Sequence, residues 1–165
     1  MSTYAASISP TATSAFLNIL PSSTYQVRIA RIEFCATNTA TIAGNSTISL
    51  SYGLAVYPSA TLSGGSTVTP VRMLAGSPAA AATLKSGGTI TGTGFTLHTE
   101  TNIGTNSDST NSITTSAQLV SNYTPATELI VANGSIVSVV ASATVAATSL
   151  TLVVYFEEIR TPRTL

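Results

Sequence analysis

The chain has almost no charge. Only 7% of its 165 residues are Asp, Glu, Lys or Arg, against about 25% in an average globular protein. The two signs cancel to a net charge of +0. That excludes the basic stripe a nucleic-acid or anionic-membrane binder needs. It also leaves a lone molecule poorly protected against self-association, so much of the surface is expected to be covered in use. There is one cysteine, Cys35, so no internal disulfide can form. There is one histidine, His98, and no tryptophan. The first twenty residues lack a basic start and a continuous apolar run, unlike a signal peptide. No apolar stretch reaches the length of a spanning helix.

Catalysis is short of parts. Cys35 and His98 could form a dyad only by tertiary accident, because nothing local supports one. Cys35 reads as a small filler on a strand. His98 alternates against Phe95 and Leu97, which places it outward. One His and one Cys cannot complete a structural zinc site. The stretch NSDSTN, with Asn106, Asp108 and Asn111, lacks the spacing and the closing Glu of a calcium loop. Glu157 and Glu158 are adjacent, so on a strand they face opposite ways and cannot act as a glycosidase pair. No phosphate loop is present. No enzyme activity and no cofactor are expected.

What is present is period two. In STISLSYGLAVY, Ile48, Leu50, Tyr52, Leu54 and Val56 share one face, and small residues take the other. In TYQVRIARIEFCAT the apolar phase runs on Tyr25, Val27 and Ile29, then on Ile32 and Phe34. The slip near Ala30 and Arg31 predicts a β-bulge, since one extra residue restores a single apolar face. SLTLVVYFEEI is apolar on both faces and reads as a central strand. ELIVANGSIVSVVASA gives two short strands about Asn133-Gly134, a hairpin or tight-turn signal. Further strands are read around Phe95 and over SITTSAQLVSNY, with a polar loop between them. Turn-separated strands of this kind predict an all-β, antiparallel sandwich of about eight strands. Residues 24–165 are assigned to the sandwich and residues 1–23 to an extended N-terminal arm. Arg28, Arg31 and Glu33 on the first long strand should come within cross-strand reach of Glu157, Glu158 and Arg160 on the last one. Alternatively they serve a subunit contact.

Three stretches in order resemble a known group. GGSTVTPVRMLAGSPAA (Gly64 to Ala80), ELIVANGSIVSVV (Glu128 to Val140) and TSLTLVVYFEEI (Thr148 to Ile159) are similar to segments of small virion proteins of tailed bacteriophages. The likeness spans Val27 to Ile159, and Met1 to Ser23 match nothing in it. It implies a jelly-roll-like β-sandwich acting as a head decoration (cement) protein. Such a protein is made in the host cytoplasm and binds the capsid exterior between major capsid protein subunits, commonly as a homotrimer. The alternative is a receptor-binding or tail-fibre or head-fibre module. The segment from Gly64 to Gly88 is expected to cross one end or edge of the sandwich as an extended connection. Its prolines and apolar residues make it no flexible linker. Pro70, Val71, Arg72, Pro78, Ala79 and Ala80 are its candidate assembly residues, together with Arg28, Arg31, Glu157 and Arg160. Its alanines, Ala79 to Ala82, should let a neighbour approach closely. The arm and the loop near Asn106 are further candidate contacts.

Overall fold

The computed structural model describes residues 2–8, 14–38, 47–105, 118–125, 129–143 and 148–160. The described residues are all β. Eight strands of six residues or more form the body. They are β1 (Ser2–Ile8), β2 (Ser14–Leu20), β3 (Tyr25–Asn38), β4 (Thr47–Tyr57), β10 (Phe95–Thr105), β11 (Gln118–Tyr123), β13 (Ile136–Ala143) and β14 (Thr148–Arg160). Six short strands complete the set: β5 (Thr61–Ser63), β6 (Ser66–Thr67), β7 (Val71–Arg72), β8 (Thr83–Ser86), β9 (Thr89–Thr91) and β12 (Leu129–Val131).

The pairing of the eight long strands is ordered. The first pairs with the last, β1 with β14. The second pairs with the seventh, β2 with β13. The third pairs with the sixth, β3 with β11, and the fourth with the fifth, β4 with β10. This is one long antiparallel ribbon, folded over into two sheets. One sheet runs β11-β3-β14-β1-β7, with β12 also on β3, and the other runs β10-β4-β13-β2-β8-β6. Eight strands paired in this way and divided between two sheets make a jelly roll; the alternation predicts the sandwich, and the resemblance its jelly-roll form.

The core lies between the sheets and follows the predicted faces. Tyr52, Leu54 and Val56 of β4 are buried, as are Leu152, Val154 and Phe156 of β14. On β3, Val27, Ile29, Ile32 and Phe34 are all buried despite their odd and even numbers. The ladder shows how: Tyr155 pairs with Arg31, then Phe156 with Ile29, so Ala30 is the extra residue of a bulge. The bulge falls where the apolar phase slips. Aromatic rings close the core from both layers. Tyr4 stacks on its ladder partner Phe156 at 5.4 Å, and Phe34 meets Tyr52 of the opposite sheet at 5.6 Å.

Two expectations change. The described part of residues 1–23 does not stand apart as an arm: β1 lies between β14 and β7, and β2 between β13 and β8. Tyr4, Ala6, Leu17 and Ile19 are core residues. Their alternation is faint in the sequence because Ala6 is small and Phe16 lies on the opposite face, 42% exposed. The Asn133-Gly134 signal marks a tight turn, with Gly134 at φ 81° and Ser135 N–H donating to the Ala132 carbonyl. Its flanking strands do not pair with each other, however. β12 joins β3 in one sheet, and β13 joins β2 and β4 in the other. The turn passes the chain between layers.

Candidate assembly surface

Between β4 and β10 the chain leaves the roll and forms a strap. It begins as a two-stranded ladder of β5 and β9. β6 then pairs β8, and β8 pairs β2, which covers the open edge of one sheet. β7 crosses over and pairs β1, the edge of the other. Exposed strand edges invite wrong pairing, and the strap occupies both on this side. The stretch from Gly64 to Gly88 is thus an edge crossing, as expected, but an ordered one. Leu84 and Ala82 belong to the core, with Val68 and Ala80 packed against it.

The paired glycines have a geometric cause. Gly65 has φ +80°, and a Cβ there would come within 2.9 Å of the Gly87 carbonyl oxygen. Gly88 has φ +94°, and a Cβ there would lie 2.9 Å from Leu62 and 3.0 Å from the Ser63 carbonyl. Two backbones approach at this crossing and leave no room for side chains. Asn18, buried on β2, donates to the Gly87 carbonyl at 2.7 Å and ties the crossing to the sheet.

The strap divides the candidate residues. Val71 and Arg72 form β7 and are exposed, and Met73 and Leu74 follow. Val71, Met73 and Leu74 are 67%, 54% and 65% exposed, three large apolar side chains in four residues. Pro70 is half-buried just before them, and Pro78 and Ala79 are exposed after them. The alanine run is only half available to a neighbour. Ala79 and Ala81 face out, while Ala80 and Ala82 are turned to the chain's own core. That part of the strap is held from within. The Tyr4 hydroxyl donates to the Pro78 carbonyl at 3.1 Å. Glu158, 5% exposed, accepts the backbone N–H groups of Ala81 and Ala82 at 2.7 and 2.6 Å on one oxygen, Oε1.

Glu158 reaches the strap because even-numbered residues of β14 face inward. Glu157, one residue earlier, faces out. It pairs with Arg28 directly across the ladder, accepting from Arg28 Nε at 2.7 Å and also from Nη2. Arg31 pairs with Glu33 at 2.6 Å and lies 4.4 Å over the Tyr155 ring, whose hydroxyl donates to Glu33. The expected cross-strand charge pairing is present in Arg28–Glu157, whereas Arg31 and Glu33 pair within β3 and Glu158 turns to the strap; β3, moreover, is the third strand of the roll. It borders β14 on the side away from β1. The candidates Arg28, Arg31 and Glu157 spend their charge within the sheet.

A cleft of about 340 Å³ opens above Glu158. Pro78, Ala79 and Ala81 of the strap line it, together with Tyr4 and Tyr25. Arg160, the last candidate, is exposed and lines the same cleft. Sequence reasoning missed this site, although the period-two face of Leu152, Val154 and Phe156 continues onto Glu158; what covers Glu158 there, the strap, comes from 76 residues away. A second cleft, of about 310 Å³, lies where the β9 strand of the strap approaches Phe16, Asn18 and Val140.

The other singled-out residues carry no visible site. His98 is not outward. A bulge between Thr96 and His98 shifts the register, pairs His98 with Leu54 and brings its ring 5.5 Å from Tyr52. The Cys35 side chain and the loop near Asn106 lie outside the described residues. Among the described residues, no group of three or more His, Cys, Asp or Glu could hold a metal ion. No described helix is long and apolar enough to cross a membrane.

The fold and its strap define a jelly-roll sandwich with an apolar edge element. No protein-family model matches the chain, and no curated protein matches it. Among solved structures it aligns with the T13 particle of infectious bursal disease virus at 15% identity and TM-score 0.18. That alignment covers 97% of this chain and 40% of the other. The VP2 subviral particle of the same virus gives 15% identity and TM-score 0.17, covering 97% and 43%. The Gt strain gives 18% and 0.16, covering 97% and 41%. The chain spans about two fifths of those chains' length. TM-scores this low carry no argument about fold or function.

Proposed function

We propose that this chain is a non-enzymatic virion structural protein of a tailed bacteriophage. It is of the cement or decoration type and binds between major capsid protein subunits on the head exterior as a homotrimer. The observation that carries the reading is the strap. The sandwich holds out Val71, Met73 and Leu74 within four residues of one another, each over half exposed. Apolar side chains grouped in this way mark an interaction surface. Jelly rolls recur in viral capsid domains, although also in lectins and cupins. Fold alone therefore does not decide, and the three phage-like segments supply the direction. Few charges and many small side chains suit broad contacts, which become multivalent on a lattice.

The test is staged disruption of purified particles with mass spectrometry of each fraction, together with imaging of particles labelled on this chain. The expected result is label on the head shell and release of the chain before the shell proteins separate. Absence of the chain from the head overturns the cement reading. Its presence in the tail instead would assign it to the receptor-binding or fibre alternative.

A further inference from the structure

We infer that the cleft over Glu158 receives Arg72 of a second copy of this chain. Glu158 is 5% exposed, and its Oε1 holds two strap N–H groups. Among the described residues no Arg or Lys nitrogen pairs with it. Arg160 lines the same cleft without forming an ion pair there among the described residues. A carboxylate removed from water and lacking a counter-charge is costly, and a cation that reaches it is strongly favoured. The cleft suits a cation carried on an apolar stem. Pro78, Ala79 and Ala81 offer an apolar wall for methylenes. Tyr25 also lines the cleft, and tyrosine rings attract a guanidinium.

Arg72 has the matching chemistry. The other described cations are engaged or already at the cleft: Arg28 and Arg31 in ion pairs, Lys85 on the Gly64 carbonyl, Arg160 among the cleft's lining residues. Arg72 is exposed on a two-residue edge strand, between Val71 and the apolar pair Met73 and Leu74. Within one chain β1 stands between β7 and β14, which separates Arg72 from Glu158 by two strand spacings across the sheet, about 9–10 Å, and by two residues, about 7 Å, along it. Arg72 pairs there with Tyr4, while Glu158 pairs with Ser2. A second copy can bring the cation into the cleft directly, with its apolar neighbours against the alanine wall. A contact between two different patches is heterologous and can close a ring. The inference thus deepens the homotrimer of the reading above, and it does not depend on location in the virion.

The experiment measures the mass of the purified full chain by light scattering across concentration, for wild type, Arg72→Glu and Glu158→Gln. The Glu158→Gln change is chosen to preserve folding, since the amide oxygen still accepts from the strap, and thermal melts confirm folding of both variants. Wild type is expected to assemble, and each variant to dissociate with a Kd raised at least about tenfold. Mixing the two variants is expected to recover a pair, because one intact Arg72 then meets one intact Glu158. A wild type that stays monomeric at millimolar concentration overturns the inference. So does assembly indifferent to either substitution, or a mixture that remains monomeric. Failure here leaves head location untouched, and absence from the head leaves this contact untouched.

Discussion

Glu158 accepts the backbone N–H of Ala82 at 2.6 Å, across 76 residues of sequence. The same oxygen accepts from Ala81. One inward carboxylate on the last strand of the roll thereby fixes the strap to the sheet below. Removing it leaves a buried N–H on Ala82 without an acceptor. Glu158→Ala is therefore expected to lower stability by about 1–3 kcal/mol. Glu158→Gln keeps an acceptor and should lose the smaller part of that. Chemical denaturation of both variants checks the ordering. Equal losses would mean that the charge, and not the acceptor, holds the strap.

Tyr4 makes the companion tether. Its ring stacks on Phe156, and its hydroxyl reaches the Pro78 carbonyl. Tyr4→Phe preserves the stack and removes only the hydroxyl. The expected cost is about 0.5–1.5 kcal/mol, or a few degrees in Tm for a chain of this size. Limited proteolysis should show earlier cleavage near Pro78 in the variant, because the strap loses one of its anchors there. Unchanged cleavage would place the tether's importance elsewhere.

Arg28 and Glu157 face each other on the outer side of the sheet, with side chains 30% and 16% exposed. Water still screens such a pair. A double-mutant cycle with Arg28→Ala and Glu157→Ala should give a coupling of about 0.2–1 kcal/mol, shrinking as salt rises. A coupling several times larger and insensitive to salt would show that the site is drier than its exposure implies.

Much of this fold is legible in the sequence because period-two alternation is a direct image of a two-layer sandwich. The slip between Ile29 and Ile32 even locates the bulge at Ala30. β1 and β2 are harder to read. Ala6 and Tyr4 give a faint face, and Phe16 opposes Leu17 and Ile19 in phase. Nothing local says that Ser2–Ile8 lies between β14 and β7. The strap is visible as an unusual segment, but its role is not, because β7 and β8 owe their pairing to β1 and β2, over 60 residues earlier. Glu158 illustrates the same limit. The alternation puts it in phase with Leu152, Val154 and Phe156, but the partners that hold it, the N–H groups of Ala81 and Ala82, lie far away in sequence.

Gly88 is the sharpest test of that cover. Its φ of +94° is one that side chains rarely adopt, and a Cβ would press on Leu62 and on the Ser63 carbonyl. Gly134 also has a positive φ, +81°, but open space around it. Both positions should resist alanine, since each carries backbone strain of about 1–3 kcal/mol for a non-glycine residue. Only Gly88→Ala adds a steric clash, at the point where the two arms of the strap cross. It is therefore expected to cost more stability than Gly134→Ala and to loosen the strap selectively. Hydrogen exchange should then accelerate over Thr61–Ser63 and Thr89–Thr91 while β3 and β14 stay protected. Equal costs at the two glycines, with no local exchange, would mean that the crossing yields easily and that the strap is not a rigid support for Val71, Met73 and Leu74.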